Sequence, residues 1–354
     1  MKIWEFVITG GPCAGKTTCL SMLSEELTKK GYKVIVVPET ATEVITSGIT
    51  PWEYDEFQGL LIDRGLNKEE TVRRAAEAMR KDIVILYDRG ILDGKAYMDV
   101  NVFREELRKR GFTEIKIRDN YDAVFHLVTA AEGAEEFYTL ENNKARFETP
   151  EEAKIADKKT RNAWIGHQHF RVIDNSTLFT EKVNRLIREV LFAMGLPIPL
   201  EIERKYLITK PQDEQLEKID GIVKLNILQT YLHSEDPLIE RRIRQRGEGN
   251  SFSYYYTEKK TLSNLVRQEK ERLITQREYI SLLIEGEKSI RKDRYCFLFK
   301  NQYFELDIYP KWDNEAILEI ELTDKTQKVD LPDWIKVIKE VTEDITYKNI
   351  NLAK

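Results

Sequence analysis

Eight residues near the start of the chain have the types and spacing of a phosphate-binding loop. Gly10, Gly15, Lys16 and Thr17 occupy the fixed positions of G-x-x-x-x-G-K-[ST], between an apolar run and a helical pattern. Glycines let backbone N–H groups curl around phosphate oxygens, and a helix N-terminus adds partial positive charge. We therefore expect Lys16 to reach β- and γ-phosphate oxygens, Thr17 to ligate Mg²⁺, and Thr18 to help bind the phosphates.

Two carboxylates follow later apolar runs of the same region. Asp88 ends Ile83–Asp88 and is predicted to hold Mg²⁺ or its water shell, although many strands end in Asp because turns favour it. Glu39 follows Val36-Val37-Pro38, where it could accept a proton from a bound hydroxyl. Both are candidate catalytic residues.

Arg146 and Arg161 lie in a polar stretch, 131–166, between the fourth and fifth predicted strands. Two interpretations stay open for them. One is a solvated helical face. The other is implied by the resemblance of Glu39 and Asp88-Arg89 to nucleoside and nucleotide kinases, which carry at this place a lid whose arginines close on the transferring phosphoryl group.

The second half of the chain carries charges at every other position of several short runs. Side chains alternate across a strand, so each run places its charges on one face. The acidic pairs stand on the outer strands and the basic pairs on the middle ones, which predicts a closed barrel with a charged lumen rather than a sheet with a solvated face. The runs are Glu201/Glu203/Lys205, Glu240/Arg242/Arg244/Arg246, Thr257/Lys259, Arg267/Glu269/Glu271, Lys292/Arg294, Glu305/Asp307 and Glu319/Glu321.

The elements that must position these residues fall into two parts. Apolar runs alternate with amphipathic segments up to residue 195, which predicts an α/β domain with a parallel sheet covered on both faces. Gly195-Leu196-Pro197-Ile198-Pro199 marks the boundary. We expect a nucleotide-binding domain over 1–195, a linker over 196–200 and an antiparallel β domain over 201–354.

Composition excludes several classes of protein. The 354 residues carry 56 Lys and Arg against 61 Asp and Glu, a net charge of −5, so capture of duplex DNA is not expected. No apolar run approaches the length of a membrane span. Three cysteines without metal-ligand spacing indicate reduced thiols and a cytoplasmic location.

Two resemblances add to this reading. Glu39 with Asp88-Arg89 resembles the nucleoside and nucleotide kinase branch of P-loop proteins. Glu201-x-Glu203-x-Lys205, followed in order by Arg242-Ile243-Arg244, Thr257-Glu258-Lys259, Lys292-Asp293-Arg294 and Glu319-Ile320-Glu321, resembles the CYTH superfamily, the triphosphate tunnel metalloenzymes. That resemblance covers about 201–354 and implies an eight-stranded antiparallel tunnel.

The tunnel resemblance also implies roles for individual residues. The residues that it implies as ligands of Mg²⁺ or Mn²⁺ are Glu201, Glu203 and Glu321, with Glu319 as a further candidate. The residues that it implies as phosphate-binding are Lys205, Arg242, Arg244, Lys259 and Arg294. Glu269 and Glu271 would orient a second metal or the attacking water. Which arginines of 241–246 face inward stays open.

The whole chain resembles a group that pairs an AAA-type ATPase domain, related to nicotinamide riboside kinases, with a CYTH domain. The first hypothesis is an enzyme that binds ATP or GTP, with kinase activity as one possibility, and hydrolyses a triphosphate in the tunnel. The second is a nucleotide-switched regulator whose tunnel holds a polyphosphate or an anionic phospholipid headgroup without turnover. A third, cyclic-nucleotide synthesis, ranks last, and the sequence does not separate ATP from GTP.

Overall fold

A computed structural model describes residues 2–54, 56–138, 149–196, 202–236, 238–263, 266–322 and 327–354, with the backbone alone over 261–263 and 266–269. The chain forms two compact units, Met1–Met194 and Gly195–Lys354. Arg146, Glu201 and nearly all of the predicted linker lie outside the described residues, and the predicted functional domains stay predictions.

The first unit is built on a parallel sheet of five strands in the order β2-β3-β1-β4-β5. Its strands are β1 (Ile3–Gly10), β2 (Lys33–Val37), β3 (Ile83–Asp88), β4 (Ala123–Leu127) and β5 (Phe170–Ile173). Its helices are α1 (Lys16–Lys29), α2 (Thr40–Thr46), α3 (Phe57–Met79), α4 (Val100–Lys109), α5 (Glu114–Arg118), α6 (Pro150–Ala163) and α7 (Phe179–Ala193). The predicted α/β class is confirmed.

The central strands form because their residues are apolar on both faces. Phe6, Val7 and Ile8 of β1 are fully buried, as are Ile83–Leu86 of β3. One face packs on α1 and α7 through Leu23, Leu27 and Val183 among others. A strand that is apolar on both faces must pack against other elements on both sides, and the helices that connect parallel strands provide this packing.

The start of α6 is set by a local signal. Thr149 accepts a hydrogen bond from the Glu152 amide at 3.3 Å, while the Glu152 carboxylate accepts one from the Thr149 amide at 2.7 Å. Pro150 occupies the first turn, where no amide donor is needed. The cap fixes the residue at which α6 begins.

The second unit is one antiparallel sheet in the order β10-β9-β8-β7-β11-β12-β13-β6-β14. Its strands are β6 (Ile202–Thr209), β7 (Val223–Leu232), β8 (Ile239–Glu248), β9 (Ser251–Ser263), β10 (Val266–Ile274), β11 (Gly286–Phe299), β12 (Gln302–Ile308), β13 (Glu315–Leu322) and β14 (Val337–Glu340). Three short helices accompany it: α8 (Asp213–Leu216), α9 (Gln276–Leu282) and α10 (Asn349–Leu352). The predicted antiparallel class is confirmed, and the described part of this unit has nine strands where the resemblance implies eight.

Apolar side chains on one face of this sheet form its main core. Tyr206, Phe304, Leu306, Leu318 and Ile320 are buried together there. Their sequence neighbours on the same strands point to the other face, because side chains alternate along a strand.

Across the residues that the structure describes, no helix has both the length and the apolar character needed to cross a bilayer.

Trp164, at the end of α6, is the largest fully buried side chain of the described residues and packs edge-on against Tyr121. We expect Trp164→Ala to lower the free energy of unfolding by about 3–5 kcal/mol, because it leaves a large cavity. Trp52→Ala is the control, since Trp52 is 78% exposed, and should change it by less than about 0.5 kcal/mol. Urea unfolding followed by circular dichroism measures both; equal effects would contradict the packing role of Trp164.

Candidate functional site

The loop between β1 and α1 has the backbone that its glycines permit. Gly15 caps α1 with a φ of 80°, in the left-handed region. At Gly10 a Cβ atom would lie 2.2 Å from the carbonyl oxygen of Leu127, so a side chain has no room there. Lys16 begins α1, and its ammonium donates to the Gly10 carbonyl at 3.3 Å. The Lys16 side chain therefore lies back over the first residue of the loop.

Charged groups of both signs surround Lys16. Burial lowers the pKa of Lys16 to about 8, and neighbouring Arg89 acts in the same direction. Glu39, Asp88 and Asp93 act to raise this pKa. The carboxylates predicted from separate strands are thus brought together around the loop lysine.

Asp88 reaches this place because the carboxyl end of β3 lies beside that of β1, with Asp88 opposite Ile8. Its Oδ1 atom is buried and has no hydrogen-bond partner among the described residues. Burial raises the pKa of Asp88, and the nearby Glu39 adds to that effect. An orphaned carboxylate oxygen at this edge is a donor suited to Mg²⁺.

Glu39 is held by an ion pair. It lies directly before α2, and its Oε1 atom is 2.8 Å from Nε of Arg89. Burial acts to raise the pKa of Glu39, but Arg89 and Lys16 outweigh it and the pKa is lowered. Glu39 is therefore ionised at neutral pH.

Two residues of this cluster were not predicted as site residues. Arg89 has a φ of 66° and bridges Glu39 and Asp93, whose atoms lie 2.8 Å and 3.7 Å from its guanidinium. Asp93 is buried and accepts hydrogen bonds from the Thr9 hydroxyl and from the Gly90 amide. The signal for Arg89 was its position directly after Asp88, whereas Asp93 lies in a short 3₁₀ helix, Ile91–Tyr97, that no pattern marked.

The remaining predicted residues of the first unit lie around the loop. Thr17 and Thr18 are exposed in the first turn of α1. Arg161 is half-buried on α6, one helical turn after Asp157.

Asp157 itself was missed by the sequence analysis. Its Oδ1 atom accepts from the amides of Gly11, at 2.9 Å, and Thr129, at 3.0 Å. Its Oδ2 atom lies 3.1 Å from Nε2 of His126. No local pattern marks Asp157, because its partners are far away in the sequence.

In the second unit, strand register places the predicted charged residues on one face of the sheet. Directly opposite residues of antiparallel strands share a face. The chain of cross-strand pairs runs through Lys205/Glu319, Glu319/Glu305, Asp307/Arg294, Arg294/Leu225, Gln229/Arg244, Arg242/Thr257 and Thr257/Glu271. Glu203 and Glu321 pair on the same side, and Lys259 lies two residues from Thr257. We call this surface the charged face.

Arg294 is the centre of the acidic part of the charged face. Its guanidinium donates to Asp307 through two bonds of 2.7 Å and to Glu319 at 2.7 Å, and it also pairs with Glu305. Lys292 pairs with Asp307 as well. Burial acts to lower the pKa of Arg294, but the three carboxylates outweigh it and hold the pKa well above its usual range.

Lys205 lies between two predicted metal ligands. Its ammonium is 2.5 Å from Glu203 and 2.8 Å from Glu319. Burial acts to raise the pKa of Glu319, but Lys205, Lys292 and Arg294 hold it far below its usual range. Two carboxylates thus converge on one ammonium group. The described residues include no group of three or more His, Cys, Asp or Glu placed to hold a metal.

A further ion pair joins β8 and β10. Arg244 donates to Glu271 at 2.6 Å, and the Thr257 hydroxyl donates to the same oxygen at 2.7 Å. Arg242 lies 3.9 Å from Glu240. Lys259 stands opposite Glu240 on one side and opposite the backbone of Glu269 on the other. The side chain of Glu269 lies outside the described atoms.

Comparison with solved structures found limited likenesses. The hypothetical protein NE1496 is 30% identical, with 43% of this chain and 96% of that chain covered and a TM-score of 0.32. A structure titled the inorganic triphosphatase NE1496 is 29% identical over 44% and 95%, also with a TM-score of 0.32. PH1819 protein from Pyrococcus horikoshii OT3 is 17% identical over 35% and 80%, with a TM-score of 0.28. The assignment of the fold rests on the strand pairings described above.

Comparison with curated proteins found no match. A family described as AAA domain matches residues 5–182, which is half of the chain and includes the phosphate-binding loop, Asp88 and Asp157. The protein therefore belongs to the AAA domain family.

Proposed function

We propose that the protein binds a nucleoside triphosphate at the Gly10–Thr17 loop and hydrolyses a triphosphate on the charged face of its second unit. The observation that carries the proposal is the gathering of basic and acidic side chains from separate strands on that one face. Inorganic tripolyphosphate and a nucleoside or organic triphosphate are the candidate substrates. A cytoplasmic location fits three cysteines that form no disulfide among the described residues.

At the loop, backbone amides and Lys16 hold the β- and γ-phosphates. Thr17 and Asp88 are the residues that would hold Mg²⁺, and the orphaned Oδ1 atom of Asp88 supports that assignment. The ion supplies charge neutralisation between the phosphates. Thr18 and Arg161, with Arg146 from outside the described residues, would complete the phosphate contacts for either ATP or GTP.

Glu39 gives this site its possible kinase chemistry. An ionised carboxylate beside Lys16 can accept a proton from a bound hydroxyl as that oxygen attacks the γ-phosphorus. Arg89 keeps Glu39 ionised and oriented.

On the charged face, basic side chains bind the phosphoryl oxygens and stabilise the charge that spreads over them during transfer. Those residues are Lys205, Arg242, Arg244, Lys259 and Arg294. Glu203, Glu319 and Glu321, with Glu201, are the residues that would hold Mg²⁺ or Mn²⁺, and the convergence of Glu203 and Glu319 on the Lys205 ammonium supports a cation there. The ion supplies neutralisation of the bound phosphates.

Hydrolysis itself replaces one phosphorus–oxygen bond by another. The oxygen of water bonds to the terminal phosphorus, the bridging P–O bond breaks, and the proton passes to a carboxylate. Glu271 is the proposed acceptor, oriented by Arg244 and Thr257, together with Glu269.

A second candidate function is a nucleotide-switched binder without turnover. It is favoured by the ion pairs that engage both Glu203 and Glu271, the carboxylates that hydrolysis needs. Such a face would bind a polyphosphate or an anionic phospholipid headgroup through its basic residues alone.

The first test is phosphate release from tripolyphosphate, ATP, GTP and thiamine triphosphate with Mg²⁺ or Mn²⁺. We expect Glu203→Ala to reduce release of phosphate from the substrate of the charged face by at least about a hundredfold, because a cation ligand is lost. Lys16→Ala should leave that release unchanged and abolish nucleotide binding at the loop.

Glu258→Ala is the matched control, since Glu258 is a glutamate of β9 on the opposite face of the sheet, beside Arg241. It should behave as wild type. Unchanged release in Glu203→Ala would contradict the hydrolase. Nucleotide and polyphosphate binding with no release from any substrate would favour the binder.

The lowered pKa of Lys16 predicts a pH-dependent affinity for nucleotide. Phosphate binds the protonated lysine, so affinity is fully present below a pKa of about 8 and is lost as the pH rises through it. Between pH 7.5 and 9.5 we expect the Kd for ATP or GTP with Mg²⁺ to rise about tenfold. Calorimetric titration measures it, and Lys16→Arg, which stays charged, should show a flat profile; the same rise in that variant would contradict the assignment.

A further inference from the structure

An acidic side chain lies directly against the phosphate-binding loop, where electrostatics alone opposes the binding of phosphate. Asp157 of α6 is fully buried and accepts the Gly11 amide at 2.9 Å. Burial acts to raise the pKa of Asp157, but His126 and the Gly11 amide outweigh it and the pKa is lowered. The carboxylate is therefore ionised, and its charge repels a nearby phosphate.

The contacts of Asp157 tie three segments of the chain together. Its Oδ1 atom also accepts the Thr129 amide at 3.0 Å, directly after β4, and its Oδ2 atom lies 3.1 Å from His126 on β4. The segment after β4 in turn holds the loop, since the Thr129 hydroxyl donates to the Pro12 carbonyl and the Ala130 amide to the Cys13 carbonyl. One carboxylate oxygen thus joins α6, the end of β4 and the loop.

Asp157 also packs closely against Gly11. A Cβ atom on Gly11 would lie 2.7 Å from both the Cβ and the Oδ1 atoms of Asp157. Gly11 does not have a positive φ, so the backbone permits alanine, and the three atoms nearest to an added Cβ all belong to Asp157. The close approach of α6 therefore explains why Gly11 has no side chain.

We infer that Asp157, on α6, is a positioning residue that holds the phosphate-binding loop in the conformation that binds phosphate, although its negative charge repels phosphate. The inference rests on the proposed nucleotide binding and deepens it. Its consequence is mechanical coupling: Arg161 lies one turn further along α6, so the placement of the loop and of this arginine depend on the same carboxylate.

The test separates the hydrogen bonds of Asp157 from its charge. Asp157→Asn keeps an oxygen that can accept both amides and removes the charge, whereas Asp157→Ala removes both. For ATP and for GTP with Mg²⁺, titrated calorimetrically into the full chain, we expect Asp157→Asn to bind at least as tightly as wild type. Asp157→Ala should bind about tenfold or more weakly, as loss of hydrogen bonds to a charged group predicts. Tighter binding by both variants would overturn the positioning role, because it would leave the charge as the only effect.

Gly11→Ala gives a second, independent variant if Asp157→Ala fails to fold. It forces Asp157 away from the loop and should also weaken binding about tenfold or more; wild-type affinity in this variant would overturn the inference. Lys16→Ala is the control for the loop itself. If wild type binds neither nucleotide, the proposed function fails, whereas wild-type binding with equal affinity in Asp157→Ala overturns the positioning role alone.

Discussion

Charged side chains taken out of water must find opposite charges, and both sites of this protein are organised by that requirement. An unpaired buried ion costs several kcal/mol, so a site that gathers phosphate-binding cations also has to gather anions. Around Lys16 these are Glu39, Asp88 and Asp93. Around Arg294 they are Asp307, Glu305 and Glu319.

The pairing has a direct consequence for ligand binding. In the proposed function, a triphosphate would replace carboxylates as the partner of lysine or arginine, so that binding would exchange one set of ion pairs for another. Lys205, whose ammonium is shared between Glu203 and Glu319, is one cation that would take part in such an exchange. The affinity for a triphosphate would then depend on how well the displaced carboxylates are neutralised. A divalent cation can neutralise them, and it therefore suits the proposed chemistry.

The two units meet the same requirement with different architectures. In the parallel sheet, most side chains inside the central strands are apolar, and the residues of the candidate nucleotide site lie at or beyond the ends of the strands. In the antiparallel sheet, alternation places the charged residues on one face, alongside an apolar cluster that includes Leu207, Ile290 and Ile317. Leu306, Leu318 and Ile320 belong to the core on the other face.

The sequence by itself determined what is local. The loop around Lys16 follows from eight adjacent residues, the strands from apolar runs, and the grouping of Arg242 with Arg244 on one side of a strand from alternation. Tertiary structure alone decided the pairs: Gly11 with Asp157, 146 positions apart, and Lys205 with Glu319, 114 apart. Local pattern carries no information on which strand or helix lies beside another, because that is set by how whole elements pack. The residues that hold the site together were therefore hidden in the sequence, although the residues proposed to touch phosphate were visible in it.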